Sequence, residues 1–153
     1  MLKFTIKTEY ALKSLIHIAL SDEPVSSKQI YEKEGIPIAF LEQILVRLRR
    51  KGLIKSVRGK KGGYVLAKSP KEISVFDVIN VMEGPYGIVK CLVPGGEAEC
   101  LFSLTDCVLK DVWNTVQAEV ISILKKITIE DLARKYNLAN FLKPSQANSR
   151  FPL

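Results

Sequence analysis

The chain has one histidine, one tryptophan and three cysteines in 153 residues. No Ser/His/Asp set is evident, the single histidine has no nucleophile signature beside it, and no Gly-rich phosphate loop precedes a helical stretch. No enzyme is therefore expected. The three cysteines are odd in number and include no CxxC pair, so they do not read as a disulfide framework. No apolar stretch approaches the roughly 18 residues a spanning helix needs, and MLKFTIKTEY lacks the apolar run of a secretory signal. A cytoplasmic protein with no membrane partner is the expectation. Acidic residues are also missing from one long stretch. From Arg47 to Lys68 the chain reads RLRRKGLIKSVRGKKGGYVLAK, with nine basic residues and no acidic one.

What is present is an ordinary globular composition, 47% hydrophobic and 25% charged, at a length that suits one compact unit with an appendage. The net charge is +7, and all of the excess lies in residues 1–90; residues 91–153 balance. Hydrophobic spacing organises the chain further. Leu12, Leu15, Ile16 and Ala19 mark a first helix over about residues 7–21. Ser26 or Ser27 can cap a short second helix that Gly35 closes. Pro37 opens a third helix, 37–50, whose inner stripe is Leu41, Ile44, Leu45 and Leu48. Two β-type runs, 53–57 and 64–67, are joined by the basic turn Arg58-Gly-Lys-Lys-Gly-Gly63 and predict a hairpin. Three helices followed by a hairpin is the order of a winged helix-turn-helix.

Beyond residue 69, Ser74 can cap a fourth helix, VFDVINVME, and residues 84–103 read as a loop carrying the first cysteines. Leu109, Val112, Trp113, Val116, Val120, Ile123, Leu124 and Ile127 hold a three-four spacing over a long helix, 106–127. That helix shows more apolar face than a small three-helix head can cover, which implies a partner copy. Thr128 with Asp131 looks like the cap of a last helix, IEDLARKY, before a frayed tail. The expected fold is mainly α with a small β-hairpin wing. Its divisions are a winged helix-turn-helix at 1–70, a cysteine loop and dimerisation helix at 71–135, and a tail at 136–153.

On a helical wheel of the third helix, Ala39, Gln43, Val46 and Arg50 lie opposite Leu41, flanked by Glu42 and Arg47. A helix of this width fits the major groove of DNA, where Gln can read adenine and Arg guanine edges. Arg58, beside glycines, suits a narrow minor groove, and Lys60 and Lys61 suit phosphates. A charge run is more often just a solvated face, but here it coincides with the third helix and the wing. Double-stranded DNA is accordingly the expected partner. Cys91, Cys100 and Cys107 are separated by eight and six residues; soft thiolates select iron–sulfur clusters, zinc or copper(I), and three unrelated buried thiols fit the spacing equally.

The stretch FLEQILVRLRRKGLIKSVRGKKGGYVLAK, with TEYALKSLIHIA before it and DCVLKDVW and KITIEDLA after it, resembles the Rrf-type (IscR/NsrR-like) winged-helix transcription regulators over about residues 1–135. The LEQ, LRR-GL, SVRG and GGY elements carry the resemblance. It implies a homodimeric regulator in which the third helix and wing read a palindromic operator while the long helix pairs the subunits. By position, Glu42, Gln43 and Arg58 match residues that contact or tune DNA in the family. The resemblance also implies that Cys91, Cys100 and Cys107 hold an iron–sulfur cluster, 2Fe-2S or 4Fe-4S. The intervals differ from the family's commoner, shorter ones. Lys110 stands where some members place a histidine ligand, whereas Glu9 of EYAL matches the acidic ligand of others. Glu9 could equally form a surface pair with Lys13 worth about 0.3–0.5 kcal/mol. His17 could be a ligand, but its apolar neighbours favour packing, and Asp106 and Asp111 are local carboxylate alternatives. The rival readings are a cluster-free regulator with a thiol switch or structural cysteines, and a zinc-stabilised protein-interaction module.

Overall fold

Local side-chain chemistry sets three of the six α-helix starts. Ser26 Oγ accepts the Gln29 amide at 3.2 Å while Gln29 Oε1 accepts the Ser26 amide at 2.8 Å. The same reciprocal arrangement joins Ser74 to Asp77 and Thr128 to Asp131. Each satisfies amides that a helix N-terminus leaves without a partner, a contribution of about 1 kcal/mol. A computed structural model describes residues 4–96 and 107–142; residues 1–3, 97–106 and 143–153, with Cys100 and Asp106 among them, lie outside the described residues. The order is α1 (Ile6–Ala19), α2 (Ser27–Glu34), α3 (Ile38–Arg50), β1 (Ile54–Val57), β2 (Gly63–Leu66), α4 (Val75–Glu83), α5 (Leu109–Lys126) and α6 (Ile129–Leu142), with short 3-10 turns at Pro70–Glu72 and Lys90–Leu92. The protein is mainly α with a two-stranded antiparallel wing, as the pattern predicts.

The core gathers around α1 and α3. Leu41, Ile44, Leu45 and Leu48 are all buried, and they meet Leu15, Ile30, Ile36, Ile54, Ile73, Val78 and Ile129. Truncating such a residue to Ala costs about 2–5 kcal/mol. The buried face of α1 differs from the expected one. Thr8, Ala11, Ser14, Leu15, His17 and Ile18 are buried, while Leu12 and Ala19 pack at the edge. The cause is that α1 lies between the other helices, packing on α3 on one side and on α4 and α6 on others. Small Ala11 and Ser14 allow that close approach, and the Ser14 hydroxyl donates to the Tyr10 carbonyl at 2.7 Å.

Two backbone braces complete the frame. Val25 pairs with Tyr64 through amide-to-carbonyl bonds of 3.0 and 2.8 Å, so the segment that ends α1 also adds a residue to the wing. Gly63 makes this possible, because a Cβ there would lie 2.6 Å from the Val25 carbonyl. The second brace joins Val75 to Ile127 and Ile129 to Ile73 at 2.8 and 2.9 Å, tying the start of α4 to the start of α6. α6 continues past Tyr136 to Leu142, since no Gly or Pro interrupts it. α5 leans on α4, with Lys125 Nζ lying 5.2 Å from the Phe76 ring centre, and on the segment after it, where Gln117 Oε1 accepts the Ile88 amide at 3.0 Å. None of its residues is buried; Leu109, Val112, Val116 and Ile123 are exposed. No helix among the described residues is long and apolar enough to cross a membrane.

Candidate nucleic-acid interface

With Leu41, Ile44, Leu45 and Leu48 turned into the core, helical geometry sends the opposite side of α3 outward. Ala39, Glu42, Gln43, Arg47 and Arg50 are exposed and Val46 is half-buried; the six line one open hollow along the helix. Arg58, Lys60 and Lys61 are exposed at the wing tip. The turn folds because Gly59 adopts φ +125° and because a Cβ on Gly62 would lie 2.6 Å from the Val57 carbonyl. Every residue expected on the DNA face therefore lies on the surface of α3 or the wing. Lys61 pairs with Glu23 at 3.6 Å, but both are well exposed, so the pair contributes little.

Behind this face lie groups that spacing along the chain does not reveal. Glu83, at the end of α4, accepts from the Thr5 amide at 3.3 Å, from the Thr5 hydroxyl at 2.5 Å and from the Thr8 hydroxyl. Burial pushes its carboxyl up, but these bonds and the charge of Arg47 outweigh that and hold it below the usual carboxylate range. The sequence separation of 75 to 78 residues hides this contact from any local pattern. Glu34 is similar. Burial raises it, and hydrogen bonds from His17 and Lys13 with their charges bring it below its ordinary value. His17 Nε2 lies 2.7 Å from Glu34 Oε1 and its ring meets Tyr136 edge-on at 5.4 Å, so it is engaged both by a polar contact and by packing within the helical head. Lys13 pairs with Glu34 at 3.1 Å, and Glu9 stands exposed on α1.

Cys91 lies in the turn Lys90–Leu92, and Cys107 just precedes α5; both thiols are free and half-buried. The segment after Cys91 folds tightly, since a Cβ on Gly96 would sit 2.0 Å from the Lys90 carbonyl oxygen. The two thiols are soft donors on two separate segments, one in this turn and one at the entry to α5. Among the described residues no three His, Cys, Asp or Glu side chains converge, and Cys100 lies outside them.

A helix-turn-helix braced to a basic wing, with an outward α3, defines a winged-helix DNA-binding protein of the transcription-regulator class. The family described as Rrf2, iron-dependent transcriptional regulator, matches residues 4–135. The chain is 33% identical to the HTH-type transcriptional regulator IscR of Photobacterium profundum, over 90% of this chain and 78% of that one. Among solved structures, CymR of B. subtilis, described as a global cysteine regulator, superposes with a TM-score of 0.73 at 34% identity, covering 88% of this chain and 98% of that one. T. potens IscR gives 0.72 at 33% identity and 94% of each chain. The protein belongs to the Rrf2 family of transcriptional regulators and is not an enzyme.

Proposed function

We propose that the protein is a homodimer that reads a palindromic operator and whose grip on DNA is set by an iron–sulfur cluster. In this reading residues 1–70 bind DNA and residues 71–135 sense and pair the subunits, and the site of action is the cytoplasm. Gln43, Arg47 and Arg50 meet base edges, with Ala39 and Glu42 shaping the fit. Arg58 enters the minor groove, and Lys60 and Lys61 meet phosphates. The observation that carries the reading is the outward basic face of α3 and the wing on a chain whose family match runs on through all three cysteines. The exposed apolar residues of α5 support the homodimer, because an isolated copy would leave that face in water.

Cys91, Cys100 and Cys107 would hold the cluster, with Glu9 as fourth ligand. When bound, the group supplies a redox-active centre sensitive to small oxidants. A carboxylate among thiolates is the harder, more exchangeable donor, which suits a site meant to respond. Iron and acid-labile sulfide counts on anaerobically purified protein, combined with operator titration, test this. Stoichiometric iron and sulfide with a change in affinity on cluster loss is expected, and background levels of both would overturn it. Cys100→Ala is expected to abolish cluster absorption while the helical core stays folded; global unfolding would instead indicate a structural metal.

A thiol switch is the second reading, favoured by the free, half-buried Cys91 and Cys107 and by the likeness to a regulator described as a cysteine regulator. Background iron and sulfide, together with DNA binding that responds reversibly to a thiol oxidant, would support it.

A further inference from the structure

We propose that the hollow between α1, α2 and α6 is a binding site for a small organic carboxylate with an apolar body. Binding there does not require DNA. The hollow has a volume of about 610 Å³, within the roughly 300–1,000 Å³ of small-molecule sites, and three helices and the segment before α2 supply its walls. Its apolar floor is Leu20, at the end of α1, with buried Val25 and Ile30, and Tyr136 of α6 lines the same space.

Polar groups border that floor from two helices. Gln29 and Lys33 lie four residues apart on α2 and so share a face; Asn137 and Asn140, three apart on α6, do the same. Gln29 Oε1 is occupied by the Ser26 amide and hydroxyl at 2.8 and 3.1 Å, which leaves its NH2 group as a donor. Neither asparagine side chain has a hydrogen bond among the described residues. The carboxylates nearby are already answered: Glu32 lies 3.9 Å from Lys28, and Glu34 lies 3.1 Å from Lys13 and 2.7 Å from His17. Among the described lining residues, Lys33 therefore carries the charge left unpaired. One ammonium among amide donors suits one carboxylate, which accepts charge-assisted hydrogen bonds from both kinds of group. A phosphate dianion would find only a single cation here. The apolar body of the acid would cover Leu20, Val25 and Ile30, a gain proportional to the area removed from water.

The test is calorimetric titration of the full chain, without DNA, with isovalerate, benzoate and phenylacetate, each paired with its own amide, and with inorganic phosphate. At least one acid is expected to bind with a Kd below about 1 mM, and its amide at least about tenfold more weakly. No binding by any acid, an amide that binds as well as its acid, or phosphate tighter than all three acids would overturn the proposal. Lys33→Gln is expected to weaken the best acid about tenfold, and Lys33→Arg, which keeps the charge, to stay within about threefold of wild type. Lys28→Gln, on α2 but outside the hollow, is expected to change nothing. Wild-type affinity in Lys33→Gln, or an equal loss in Lys28→Gln, would again overturn it. Circular dichroism verifies that each variant remains helical.

Discussion

At the scale of single residues, space and charge make separate demands. Arg58 is exposed at the wing tip, and its replacement by Ala is expected to weaken specific DNA binding by about 1–3 kcal/mol, measured by fluorescence anisotropy. Unchanged affinity would remove it from the interface. Gly63 answers to space. Gly63→Ala puts a methyl 2.6 Å from the Val25 carbonyl, and urea unfolding is expected to show a loss of about 1–3 kcal/mol as the wing shifts. Glu34 and Glu83 answer to charge. Both are held below their ordinary value of 4.5, so their contribution to stability is complete above that pH and is lost as pH falls through the lower folded values. Acid titration followed by circular dichroism is expected to show destabilisation beginning near pH 4.5 in the wild type and shallower in Glu34→Gln.

At the scale of elements, pattern and packing contribute unequally. The second, third and fourth helices were readable because capping serines, Gly35 and a clean stripe of Leu and Ile mark them locally. The inward and outward sides of α3 were equally legible, since one buried stripe determines the rest of a helix's surface. The buried side of α1 was not, because a helix packed from several directions has no single apolar stripe, and Ala11 and Ser14 signal it by small size rather than hydropathy. α5 presents the opposite case. Its spacing is clear, and in the proposed homodimer a second copy buries it. Val116, 42% exposed, lies on that face. Val116→Lys is expected to shift the protein from dimer to monomer in sedimentation equilibrium, with each head still helical. A dimer of unchanged stability would move the subunit contact away from this face.

At the scale of the whole molecule, the braces between distant segments make one frame of the parts. Val25 on Tyr64 couples the wing to the turn before α2, and the bonds between 73–75 and 127–129 tie the start of α6 to the start of α4. The first of these holds the wing against the helical head, which a two-part grip on a duplex requires. Helix starts, the hairpin, the basic face and the three-cysteine spacing could be read from order and spacing, because they depend on neighbours within a few residues. The brace at Val25, the burial of α1 and the hold of Glu83 on Thr5 and Thr8 could not. Those contacts join residues dozens of positions apart, and folding alone brings them within reach.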